Sequence, residues 1–175
     1  MRGKAGVVLD MRGYPGRVSW NMFHLVGAAT ATGPKMSKLL VEPDRTSLAP
    51  MPTQLVTELA GPAPPELPRY TGPVVLLVGT GSQSSAEHWT SFFRSSARGK
   101  LIGSPTSGAN GNITGVQLAG GYRFTFTGML VEHPDGSPFH ARGHVPDVEV
   151  EQTAADLRDG KDTVLLRAIA ELRSP

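Results

Sequence analysis

Apolar residues follow two rhythms along this chain, and each change of rhythm marks an element. Residues 5–10 (AGVVLD) are a short apolar run closed by Asp10, which predicts a buried strand, with MRGYPG at 11–16 as the turn behind it. Residues 18–29 place Trp20, Phe23 or His24, and Gly27 at helical spacing and predict a helix. Residues 33–71 are Pro-rich. Within them 38–42 read as a strand, 54–60 as a short helix, and GPAPPELP at 61–68 as a stiff extended connection. The span 30–72 is therefore expected to be an irregular insertion within a single domain covering 1–175. PVVLLVG at 73–79 is the clearest strand of the chain. The turn TGSQS follows, and then a helix from Ser85 to about residue 97, with Ala86, Trp89, Phe93 and Ala97 on one face.

Further on, 100–103 read as a short strand and SPTSGANGN at 104–112 as a loop. The stretches 113–118 and 122–130 flank Ala119-Gly120-Gly121 and predict a hairpin. In its second arm Tyr122, Phe124 and Phe126 alternate with Arg123, Thr125 and Thr127, so one face is expected to be buried and the other wet. Pro134-Asp135-Gly136-Ser137 is another turn, and 145–150 carries a strand. Asp162 caps a last helix with Leu165, Ala168, Ile169 and Leu172 inward. Strands alternating with helices indicate an α/β domain.

Composition narrows what such a domain does. With 39% hydrophobic and 18% charged residues over 175 positions, the chain has the balance of one that buries a core rather than one that stays disordered. Its 21 Gly and 15 Pro imply many turns and keep helix from dominating. Basic and acidic residues nearly cancel to +2, and no positive stripe with interleaved aromatics is present, which argues against a nucleic-acid groove. Cysteine is absent, so disulfides, thiolate catalysis and Cys-based zinc sites are excluded. No stretch approaches the length of a membrane span. The run Val7-Val8-Leu9 is too short for a signal peptide, so a signal for export would lie upstream of this chain.

The most informative segment is the strand at 73–79, its turn, Ser84, and the helix behind it. A serine at a sharp strand-to-helix turn stands exposed at the end of a rigid strand, beside the first free N–H groups of the helix, which can hold an oxyanion. The same four residues, Ser84-x-x-Glu87, also spell a capping box, so a purely structural role stands beside the nucleophilic one. His88 lies one helical turn after Ser84, and helix side chains lean toward the N-terminus, so it is a candidate base as well as an ordinary polar-face histidine. His140, in the FHARG loop, is a second candidate base. Glu87 reads as a cap rather than a base. His140-x-x-x-His144, with His133 nearby, lies in loop and strand, where helical metal-ligand spacing is unavailable, so no metal is expected. The glycines of SGANGNITG suit either an anion-binding nest or an ordinary tight turn at Asn110-Gly111.

Several blocks, in order, resemble the tail-specific (C-terminal processing) serine peptidase family. GVVLDMRGYPG at 6–16 is similar to its strand and DLRxNPGG turn. PVVLLVGTGSQSSAEHW at 73–89 is similar to its strand and Ser-x-x-Glu helix start. GKLIGSPTSG at 99–108 and GHVPD at 143–147 are similar to its GExTxG loop and GIxPD strand. The resemblance spans most of 5–172 except 30–70. It implies a ClpP/crotonase-like spiral of βα units around a mixed sheet, no cofactor, and a polypeptide substrate cleaved through an acyl-enzyme near its C-terminus. Ser84 is then the nucleophile, with the N–H groups of Gly16 and Ser85 as the oxyanion donors. The pattern departs at Ala109, which holds the position of the lysine base in one branch of the family. A second branch, like the tricorn core, takes its base from a histidine upstream of the first strand. The resemblance thus implies the C-terminal half of a core, with a sheet edge that invites self-association and an extracytoplasmic setting. The alternative it leaves open is a catalytically silent homologue that binds peptides.

Overall fold

The computed structural model describes residues 4–16, 32–41, 48–50, 55–58 and 70–173. The helix expected at 18–29 and the connection expected at 61–68 lie outside the described residues. The strands, in chain order, are β1 (Val7–Asp10), β2 (Thr32–Val41), β3 (Leu48–Pro50), β4 (Leu55–Glu58), β5 (Val74–Val78), β6 (Gly99–Gly103), β7 (Ile113–Gln117), β8 (Arg123–Thr127), β9 (Met129–Glu132) and β10 (Val148–Glu149). The helices are α1 (Ser85–Ser95), α2 (Ala154–Arg158) and α3 (Thr163–Arg173).

A parallel sheet of order β1-β5-β6-β10 organises the domain. β5 has every residue buried, as an unbroken apolar run requires when both faces of a parallel strand are covered. Its alternate side chains divide between two layers. Val74, Leu76 and Val78 pack with Ala86, Trp89, Phe92 and Phe93 of α1. Val75 and Leu77 pack with Val164 and Ala168 of α3. The expected cap holds at α3, where the Asp162 carboxylate accepts the Leu165 N–H at 2.9 Å. Of the residues expected on its inner face, Ala168 is fully buried, and Leu165 and Leu172 pack on the same cluster.

The expected short helix at 54–60 is corrected: its described part is β4, paired antiparallel with β2. β2 also pairs antiparallel with β3 and β9, which makes a second sheet that joins the proline-rich span to Met129–Glu132. The Leu-Val-Thr-Glu of β4 includes β-branched residues that favour a pleat once a partner strand is present.

The hairpin forms as expected, β7 against β8 with Ile113 opposite Thr127. Its expected buried face does not. Tyr122, Phe124 and Phe126 are 73%, 56% and 41% exposed, and Phe124 stacks on Phe126 with ring centroids 5.8 Å apart. Alternation specifies a pleat; only a facing layer buries one side of it, and β7-β8 is a two-stranded sheet of its own. The strand expected at 145–150 shortens to β10. Pro146 has no N–H to give a ladder, and the Asp147 carboxylate instead accepts the Leu101 N–H at 2.7 Å. Among the described residues, no helix is long and apolar enough to cross a membrane.

Candidate active site

The end of β5 is where the local sequence departs from regular structure. Ser82 is fully buried in the turn that follows, and its hydroxyl donates to the Met11 carbonyl at 2.6 Å while accepting the Gly79 N–H at 3.0 Å. One side chain thus ties the turn after β5 to the turn after β1. Ser84 comes next, at φ 52° and ψ −113°. Those angles match the first central position of a type II′ turn, which glycine ordinarily occupies. A serine held there is strained, by a cost of order 1–3 kcal/mol.

Glu87 holds this turn in place. It is completely buried, and its carboxylate collects four donors. Oε1 accepts from the Thr106 hydroxyl and the Gly108 N–H, both at 2.6 Å. Oε2 accepts from the Ala109 N–H at 2.9 Å and the Ser84 N–H at 3.2 Å. Ser84 and Glu87 have the arrangement of a capping box, but the contact on the Ser84 hydroxyl falls short of a cap hydrogen bond. With its acceptor positions filled, Glu87 is an organiser and not a base. The sequence spacing identified it as a cap; nothing local to 84–87 reports that it also gathers residues 106–109.

The loop it gathers is fixed by further bonds. The Ser107 N–H and hydroxyl both donate to the Ser82 carbonyl at 3.0 Å. Gly108 has φ +66°, and a Cβ there would lie 2.6–2.9 Å from the backbone nitrogens of Ala141, Arg142 and Gly143, so no other residue fits. His144 closes the arrangement from behind. Its ring is 1% exposed, with Nε2 3.0 Å from the Ser91 hydroxyl and 3.1 Å from the Glu87 carbonyl. Burial, with the nearby charges of His133 and Arg94 acting in the same direction, lowers its pKa to about 3, so it is neutral at pH 7.

Ser84 and Ser85 line a cleft of about 310 Å³ with Tyr14, His88, Trp89 and Asn110. His88 is in this cleft with Ser84, its ring set edge-on against Phe92 at 5.2 Å. Desolvation by burial lowers its pKa, which keeps the imidazole neutral near pH 7. His140 does not line the cleft. Its Nε2 lies 3.0 Å from both the Val131 N–H and the Met129 carbonyl, so either tautomer is engaged with the backbone of β9. The turn after β1 borders the cleft through Tyr14; Gly16 is exposed and is not among the lining residues. Among the described residues that line the cleft there is no lysine, and Ala109 contributes only its N–H to Glu87. Nor does any group of His, Asp and Glu among the described residues suit a metal ion.

The chain as a whole resembles known proteins. The family model for Peptidase family S41 matches residues 1–150. A Chlamydia pneumoniae protein is 27% identical over 104 residues, 58% of this chain and 17% of that one. The crystal structure of a Parabacteroides merdae protein assigned to the peptidases superposes with a TM-score of 0.78 at 19% identity, covering 97% of this chain and 52% of that one. Mature CPAF complexed with lactacystin gives a TM-score of 0.74 at 17% identity, covering 96% and 44%. The chain therefore spans about half the length of these solved structures or less, and at such identities the likeness to them is one of fold.

Proposed function

The chain belongs to peptidase family S41, and from that premise we propose that it is the nucleophile-bearing part of a single serine peptidase core that cleaves polypeptides by acyl transfer at Ser84. One observation carries this reading: Ser84 sits at glycine-like dihedral angles on a strand-to-helix turn, facing a cleft. A cap alone has no need of that strain, whereas a nucleophile gains an exposed hydroxyl from it. The hydroxyl adds to a peptide carbonyl and loses its proton to a base. The resulting oxyanion lies near the Ser85 N–H, which has no intrahelical acceptor at the first helical position. The amine leaves with the proton, and water then hydrolyses the acyl-enzyme. His88, neutral and in the cleft, is the described side chain suited to the proton transfer; a histidine upstream of β1 is the alternative base that the tricorn-like branch of the family would use. Tail specificity, cleavage near the C-terminus of a substrate, is the finer part of the proposal.

The absence of lysine from the described cleft lining favours one second reading, a silent homologue that binds polypeptides without cutting them. Fluorophosphonate labelling separates the two. Covalent modification mapped by mass spectrometry to Ser84, and lost in Ser84→Ala, is the outcome expected of the peptidase. An unlabelled Ser84 in a chain that also fails to cleave any member of a broad peptide library leaves only the binding module.

A further inference from the structure

Asn110 lies in the loop that Glu87 gathers, and its side chain is only 2% exposed. Its Oδ1 accepts the Gly111 N–H at 2.8 Å, which fixes the orientation of the amide: the oxygen is engaged, so the other terminal atom is the nitrogen. That nitrogen, Nδ2, is buried and has no hydrogen-bond partner among the described residues. Buried donors are nearly always paired, so one that is not calls for a reason. The tight turn at Asn110-Gly111 does not supply it, because Oδ1 alone serves the turn and a carboxylate would serve equally.

Asn110 lines the cleft that holds Ser84, Ser85 and His88. Its position relative to Ser84 is set by one atom, since Glu87 Oε2 accepts the N–H of both Ser84 and Ala109, the residue before Asn110. The described lining of the cleft carries no Lys, Arg, Asp or Glu side chain, so the acceptor that suits it is neutral. We infer that the Asn110 side-chain amide is a substrate-binding donor, giving an Nδ2–H to a backbone carbonyl of the polypeptide that occupies the Ser84 cleft. The inference rests on the peptidase reading and refines it: the cleft recognises main-chain carbonyls of an extended segment, and not a terminal carboxylate, which would call for a cation.

The test uses fluorescein-labelled β-casein as an unstructured polypeptide probe and the Ser84→Ala chain, so that no cleavage intervenes. Asn110→Asp keeps an oxygen for the Gly111 N–H and replaces the donor with an acceptor. It is expected to weaken β-casein binding about tenfold or more, the effect of facing a carbonyl with an unpaired acceptor. A second measurement needs no substitution at position 110. In the 15N-labelled Ser84→Ala chain, the side-chain amide resonances of Asn110 are expected to shift and to exchange more slowly with solvent as β-casein is added. Equal affinity in a folded Asn110→Asp chain, or Asn110 amide signals unmoved at saturation, overturns the inference. It also fails if the chain binds no β-casein. In each of these cases, fluorophosphonate labelling of Ser84 in the parent chain leaves the peptidase reading standing, whereas failure of both labelling and binding removes the two together.

Discussion

Glu87 Oε2 accepts the backbone N–H of Ser84 at 3.2 Å, from a carboxylate that is wholly buried and also holds Thr106, Gly108 and Ala109. The strained turn is thus clamped from inside the helix it starts. Glu87→Gln replaces one acceptor oxygen with an NH2 group that must face backbone N–H donors. The expected result is a loss of about 2–4 kcal/mol, measured by urea unfolding, because buried donors are left unpaired. Labelling of Ser84 should fall in parallel, because the turn that presents its hydroxyl loses its clamp.

The strain at Ser84 predicts an unusual order of stabilities. At φ 52° a glycine is relieved and an alanine is not. Ser84→Gly should therefore be more stable than Ser84→Ala by about 1 kcal/mol in equilibrium unfolding, although both lack the hydroxyl and neither should take a fluorophosphonate. Equal stabilities would mean that the turn relaxes, and the dihedral argument for a nucleophile would fail.

Arg12 joins the turn after β1 to the start of α3, donating to Asp10 at 2.7 Å and to both Asp162 oxygens at 2.7 and 2.8 Å. The hydrogen bonds from Arg12 hold both carboxyls below their ordinary pKa. A depressed folded-state pKa contributes stability that is present above the unfolded value near 4 and is lost as pH falls through the folded value. The groups are half-exposed, so screening limits the effect to about 1 kcal/mol. Arg12→Ala should thus be less stable than the parent at pH 6 in low salt, and the gap should close as pH falls below the ordinary carboxylate range.

His144 gives a second pH signature of the same sign at a higher pH. The folded state resists protonating it until about pH 3, whereas the unfolded chain protonates it near 6.5. Its contribution is complete above 6.5 and declines by about 1.4 kcal/mol for each pH unit below that. Between pH 6.5 and 5 the parent should lose about 2 kcal/mol on this account. His144→Gln should be weaker at pH 7 but should lack this part of the slope, as urea midpoints at the two pH values would report.

The parts of the fold that were legible in the sequence are those where local pattern and tertiary environment coincide. β5 is apolar because both its faces are covered, and Asp162 caps because the cap geometry is local. Four features were hidden for physical reasons. Leu55–Glu58 became a strand because β2 pairs with it, from Thr32 opposite Glu58 to Met36 opposite Leu55. The aromatic alternation of β8 gave the pleat but not the face, since burial depends on a layer that does not meet it. Around Ser84, the spacing to Glu87 was visible, yet the hold of that carboxylate on Gly108 and Ala109 depends on how the β6 loop returns. Asn110 read only as a turn residue because its idle nitrogen is a property of packing.

In mechanical terms, α1 is a beam clamped between two plates. Ala86, Trp89, Phe92 and Phe93 seat it on the parallel sheet. Phe92 also meets β2, so closely that a methyl group on Gly33 would stand 2.6 Å from the ring. Ser84 is at the end of this beam, which is ~16 Å long for eleven residues. A beam touched by both sheets is a lever between them: a shift of β2 bears on α1 through Phe92, and the end of that lever is the turn that holds Ser84.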